Sequence, residues 1–161
     1  MSETRLLVAG TVTAVLGIAI SGYLTVIHYA GAAPACGISH GCATVQASQW
    51  SSLAGIPVAV LGLAGYLAIL VALWLPGEAA LLAAAGMSLA GFGFSLYLTY
   101  RELFDIHAIC QWCVGSLVVM TALTAVCTAR AMRAPDRRRT TGSSVTPLPR
   151  PTDCAPPRRA A

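Results

Sequence analysis

Long apolar stretches separated by short polar breaks set the pattern of this chain, and no Asp, Glu, Lys or Arg occurs over residues 6–77. Four stretches, Leu6–Ala30, Ile56–Leu75, Ala79–Tyr100 and Ala108–Ala129, carry no formal charge at all. Each reaches the roughly 20 residues that a helix rising about 1.5 Å per residue needs to cross a hydrocarbon core of about 30 Å. Pro57 falls at the first turn of the second stretch, where a missing N–H is harmless. Pro76-Gly77 predicts a tight hairpin between the second and third. Gly86, Ala90, Gly91 and Gly93 predict close helix approach along the third. The pattern predicts an all-α polytopic membrane protein built as a four-transmembrane-helix bundle.

Composition sharpens this reading. The chain is 57% hydrophobic and 10% charged, with a mean hydropathy of +0.72, whereas soluble domains run to about 25% charged residues. A water-soluble enzyme, a nucleic-acid binder and a disordered protein are all poorly supported. Charge concentrates after residue 129, in a stretch rich in Pro, Ser, Thr and Arg. The domain division is therefore a membrane bundle over 1–132 and a disordered basic tail over 133–161. Arg5 and the Ala33-Pro34-Ala35 run before Cys36 faintly resemble a cleaved signal. An apolar run of about 25 residues exceeds the roughly 7–15 of a signal core, so the first helix is expected to be retained.

Arginine sets the orientation, because the chain has no lysine. Arg130, Arg133, Arg137, Arg138 and Arg139 follow the fourth stretch closely and predict a cytoplasmic C-terminus. An even number of spans puts the N-terminus on the same side. The loop over 31–55 has no basic residue and the loop over 101–107 has one arginine against two acids, so both face outward.

That orientation places Cys36, Cys42, Cys110 and Cys113 together on the oxidising face, where disulfides form and persist. Cys127 and Cys154 lie toward the other side and read as packing or a free thiol. Cys110-Gln-Trp-Cys113 opens the fourth helix. Unpaired N–H groups and the positive end of the helix dipole stabilise a thiolate there, and the thiolate is the attacking species. Two cysteine pairs could also make a four-thiolate zinc site, although the five residues between Cys36 and Cys42 are loose for a zinc knuckle. A structural disulfide in each loop is the other alternative. Two pairs on one membrane face favour a thiol–disulfide relay.

Together, Cys36 and Cys42, Ser48, Trp50, Gly55-Ile56-Pro57, Gly62, Tyr66 and Cys110-Gln-Trp-Cys113 resemble the vitamin K epoxide reductase family, in its bacterial disulfide-forming branch. The resemblance covers about residues 8–130. It implies a helix bundle around a quinone (menaquinone or ubiquinone), capped by a loop helix near Ala43–Ser52. It implies that Cys36 and Cys42 shuttle electrons from a separate thioredoxin-fold partner of the DsbA type. Cys42 would exchange with Cys110, and Cys113 would lie nearest the quinone. Ser48, Trp50, Val58, Leu61 and Leu117 would surround the quinone, with Trp50 as an apolar lid. On residue type alone Ser48 also reads as a helix cap and Trp50 as an interfacial anchor. His28, His40 and His107 read as loop or interfacial side chains. Animal members place an asparagine in the second helix, where this chain has Val58, and a tyrosine one turn past the Cys-x-x-Cys, where it has Leu117. Both departures argue against epoxide reduction and leave plain quinone reduction intact, because the quinone supplies the redox chemistry.

The sequence thus predicts an inner-membrane, quinone-dependent thiol oxidoreductase that supports disulfide formation, with membrane lipid, a quinone and a thioredoxin-fold protein as partners and no nucleic acid or metal. One alternative is an oxidase of the DsbB type, in which the Cys-x-x-Cys lies in the first outer loop. The other is a small non-enzymatic membrane protein or transporter subunit stapled by loop disulfides. The orientation has a direct test. A membrane-impermeant maleimide added to intact spheroplasts should label reduced Cys36 and Cys42, and labelling confined to inverted vesicles would reverse the topology.

Overall fold

The computed structural model describes residues 2–37, 41–53 and 55–142. His40, Cys154 and the tail beyond 142 lie outside the described residues. Helix α1 spans Glu3–Tyr29, followed by a short loop helix α2 over Cys42–Ala47. A single 3-10 turn at Gln49–Ser51 leads into a small antiparallel hairpin, β1 (Ser52–Leu53) paired with β2 (Ile56–Pro57). Helices α3 (Val58–Trp74), α4 (Glu78–Arg101) and α5 (Gln111–Gly142) complete the chain. The architecture is all-α and of the membrane type, as the apolar pattern predicts.

Among the described residues, three of the helices are long and apolar enough to cross a membrane. The second expected span, Ile56–Leu75, is shorter than the pattern suggests, because Ile56 and Pro57 pair with β1 and helix α3 keeps 17 residues. That length is about 25 Å, a little under the hydrocarbon thickness. Pro57 precedes the first helical turn as the N-cap. Gly77 adopts φ +111°, a conformation open to glycine, and this makes the hairpin between α3 and α4 possible. At the far end α5 does not stop near residue 129. Its backbone stays helical to Gly142, so residues 133–142, expected as disordered tail, continue the helix.

The helices form a closed ring in which α1 packs on α3 and α5, and α4 packs on α3 and α5. Their interior is lined by small side chains. Leu6, Gly10, Ala14, Gly17, Ser21 and Leu24 repeat every three or four residues along the buried stripe of α1. Large residues such as Val26, Val71 and Val118 stand on the outer surface instead. This arrangement suits lipid, where close backbone packing replaces the hydrophobic drive of water. On α4 the packing row is Ala84, Ala85 and Ser88, continued by Gly91 against the Met120 side chain. Of the small residues expected to pack, Gly91 alone faces a neighbour, while Gly86, Ala90 and Gly93 turn outward. The helical period decides this, because 84, 88 and 91 share a face that 86, 90 and 93 do not.

Polar ties cross the bundle, among them a 3.0 Å hydrogen bond from the Thr124 hydroxyl of α5 to the Ser88 carbonyl of α4. The buried Tyr66 ring lies on Gly17, and its hydroxyl sits 3.0 Å from both the Ser116 carbonyl and the Ser116 hydroxyl, joining α1, α3 and α5. At the end away from the loop cysteines, Arg130 is 8% exposed. It donates to Glu3 at 2.8 Å and to the Leu73 carbonyl at 3.4 Å. The guanidinium therefore closes α1, α3 and α5 and satisfies a carbonyl in the last turn of α3.

A Cβ at position 17 would overlap the Tyr66 ring, whereas one at Gly22 would meet nothing within 4 Å. Gly17→Ala should therefore destabilise the detergent-solubilised protein by about 1–3 kcal/mol, read as a lower Tm. Gly22→Ala should leave Tm unchanged or raise it.

Candidate active site

Chain reversal at one end of the bundle creates the site. After Arg101 the backbone widens into a π turn over Glu102–Ile106 and then passes through His107, whose φ of 53° is left-handed. The reversal brings Cys110 back over the turn, so that its N–H donates to the Glu102 carboxylate at 3.2 Å, eight residues earlier in the chain. His107 itself is exposed.

Cys110 then takes the cap position of α5, accepting the Cys113 and Val114 N–H groups on its carbonyl at 3.1 Å each. Its sulfur receives a hydrogen bond from the Cys113 thiol and further ones from the Cys113 and Trp112 N–H groups. These donors, the Cys113 thiol first among them, outweigh burial and the nearby Glu102 charge and hold the Cys110 thiol down at about 7. The dipole argument for the Cys-x-x-Cys is thus realised by specific N–H groups.

The loop cysteines arrive at the same place. Cys36 and Cys42 are disulfide-bonded, with Cα atoms 6.3 Å apart. Among the described residues, Cys110, Cys113 and Cys127 are free thiols. Cys42 and Cys110 are both fully buried and share one small cluster with Val45, against which Cys36 and Cys113 pack. Gly41 makes this approach possible. A Cβ there would stand 2.6 Å from the Ile109 carbonyl oxygen and 2.8 Å from its nitrogen.

The segment carrying Cys36 is held from two sides. Gln111 Nε2 and Trp112 Nε1 donate to the Ala35 carbonyl at 3.3 and 2.9 Å, and Gly37 N–H donates to Gln111 Oε1 at 3.3 Å. Ala35 N–H donates to the Tyr23 hydroxyl of α1 at 3.0 Å, and the Tyr23 and Trp112 rings lie 4.9 Å apart. The two residues between the helix cysteines are therefore the clamp for the loop pair.

Beyond Cys113 the bundle encloses a mostly apolar cavity of about 200 Å³. Cys113 lies in its wall, whereas Cys110 and the loop pair do not. The order in space is loop disulfide, Cys110, Cys113, cavity. Trp50, Val58 and Leu61 line the cavity, but Ser48 and Leu117 are absent from its wall. Ser48 instead donates to the Val45 carbonyl at 2.7 Å, closing the end of α2. The loop helix expected over Ala43–Ser52 accordingly breaks at Ser48, whose backbone is extended. Cys113, Ser116 and Met120 form the α5 row toward the cavity, and Leu117 is off that row. Trp50 is pinned from outside by Arg101, whose guanidinium sits 4.3 Å above its ring. Arg101 also pairs with Asp105 at 2.5 Å and donates to the Tyr97 hydroxyl at 3.1 Å.

A model of the vitamin K epoxide reductase family matches residues 8–128, a span that contains both cysteine pairs and the whole cavity wall. The chain belongs to the vitamin K epoxide reductase family. It is accordingly a membrane thiol–disulfide oxidoreductase, and its two cysteine pairs pack into one cluster. Three participants escape the sequence reading. Glu102 is 3% exposed and bonded to the helix pair, Gly41 admits the loop, and Arg101 covers Trp50. A carboxylate beside the end of an apolar stretch was visible as a charge, but its inward direction depends on the π turn.

The state of Cys110 can be titrated. In reduced protein whose cysteines at 36, 42, 127 and 154 are replaced by alanine, thiolate absorbance should rise as pH increases through about 7. Adding Cys113→Ala removes the principal donor to the charged form. The transition should then move up toward the ordinary thiol value of about 8.5.

Proposed function

We propose that this protein oxidises an extracytoplasmic thioredoxin-fold partner and passes the electrons through its two cysteine pairs to a membrane quinone. The observation that carries this reading is the spatial order of loop disulfide, buried Cys110, Cys113 and apolar cavity. The cavity suits a quinone ring because its wall is mostly apolar, with polar groups at few points, among them Ser51, Ser116 and Gln46. Trp50, Val58 and Leu61 would hold the ring, while Ser48 and Leu117 would act from behind the wall. A bound quinone supplies a two-electron, two-proton acceptor.

The protein steps follow from thiol chemistry. A partner dithiol reduces Cys36–Cys42 and leaves as a disulfide. The Cys42 thiolate attacks Cys110 of the Cys110–Cys113 disulfide, releasing the Cys113 sulfur. Cys36 then attacks Cys42 and frees Cys110 as a thiolate, which the N–H groups of α5 stabilise. The resulting state has an oxidised loop pair and a reduced helix pair. Re-forming the Cys110–Cys113 bond delivers the two electrons into the cavity. The arginine-rich end would be cytoplasmic, with the cysteines facing outward.

The relay is tested by removing both resolving thiols. In Cys36→Ala/Cys113→Ala, mild oxidation should accumulate a Cys42–Cys110 bond, seen as a more compact species on non-reducing gels after alkylation. Cys110→Ala should reduce quinone-dependent oxidation of a thioredoxin-fold dithiol to background. A protein whose disulfides only staple its loops would show neither result, and absence of any bridge between loop and helix would falsify the relay.

A further inference from the structure

Glu102 is buried at 3% exposure, and no other carboxylate among the described residues is buried. Its neighbour Arg101 does not neutralise it, because that guanidinium is committed to Asp105, Tyr97 and the Trp50 ring. A carboxylate withdrawn from water without a cation is costly unless hydrogen bonds compensate. The compensation comes from the redox pair itself. The Cys110 N–H donates to Oε2 at 3.2 Å, and the Cys113 thiol stands within hydrogen-bond reach of the same carboxylate. Glu102 also lines the cavity alongside Cys113. One carboxylate thus touches the sulfur that must lose a proton and faces the space into which electrons leave.

We propose that Glu102 is the base that takes the Cys113 Sγ proton as the Cys110–Cys113 disulfide closes and hands it to the electron acceptor in the cavity. The hand-over rests on the quinone reading above. The step balances. Cys110 as thiolate and Cys113 as thiol form one S–S bond and release two electrons and one proton. The electrons would go to the quinone. The proton goes to a Glu102 oxygen and would pass from there to a quinone oxygen, and solvent, which took the second proton when the Cys36 and Cys42 thiols were deprotonated for attack, would return that one. Glu102 contacts a reacting atom, so its role is catalytic and not merely one of positioning.

The test uses the full-length chain with Cys36, Cys42, Cys127 and Cys154 replaced by alanine, so that only the helix pair reports. Closure of Cys110–Cys113 is followed in a single turnover with diamide, a thiol oxidant that needs no quinone. Glu102→Gln keeps an oxygen to accept the Cys110 N–H but cannot carry a proton. It should slow closure about 100-fold or more, the usual worth of a positioned base, and Glu102→Asp should recover part of the rate. The infrared difference spectrum between reduced and oxidised protein, without quinone, should contain a carboxyl signal that Glu102→Gln removes. Glu102→Gln closing as fast as the parent overturns the base role. Should that variant fail to fold, a parent spectrum without a carboxyl signal, or Glu102→Asp closing at the parental rate, overturns it equally. A parent that closes with diamide but reduces no quinone overturns the relay reading and with it the hand-over. That result is distinct from failure of the base role, which diamide reads alone.

Discussion

The meeting of the two cysteine pairs depends on a backbone contact between Gly41 and Ile109, where the absence of a side chain lets two irregular segments approach. Cys42 and Cys110 follow one residue later on each segment, and both are sealed from solvent in the same cluster. Thiol–disulfide exchange needs the attacking sulfur in line with the bond it breaks, and a loop held off by one methyl group would lose that register. The clamp of Gln111 and Trp112 on Ala35 and Gly37 serves the same end from the Cys36 side. The loop pair is thereby docked on the α5 N-terminus instead of sampling solvent.

The second condition is electrostatic. A helix end supplies unpaired N–H groups, and Cys110 places its sulfur where two of them point. The same end also holds a carboxylate, which by charge alone opposes a thiolate. The two coexist because the Cys113 thiol lies within hydrogen-bond reach of each, and its single proton serves one of them at a time. The N–H groups and the neighbouring thiol thereby favour the thiolate on Cys110, the sulfur nearest the loop pair. At the opposite end, Arg130 and Glu3 tie the same helices together, so the bundle is closed by polar contacts at both rims and by small-residue packing between them.

The helical framework was legible because a lipid-spanning helix must be apolar over its whole length, a requirement written into every residue. The same rule overstated α3, whose first two apolar residues are taken by the β hairpin. Small residues on α4 were legible as a class but not as a face, since glycine is equally common on lipid-facing positions. The cysteine pairs were legible because thiol chemistry requires cysteine. The cavity wall was less so: Trp50, Val58 and Leu61 reach it, while Ser48 and Leu117 do not.

What the sequence determined by itself is the set of long-range necessities: an all-α membrane bundle, two cysteine pairs at one end and a redox motif at a helix start. These follow from composition and spacing, which survive any small change of helix phase. What only the tertiary structure decided is which atoms touch. A π turn and one left-handed residue rotate Glu102 inward and fold Cys110 back onto it, and neither turn has a strong residue signature. Arg130, read from sequence as a charge marking the cytoplasmic side, is a buried tie between three helices. Hydropathy records whether a side chain can leave water, whereas its partner is fixed by packing between segments far apart in the chain.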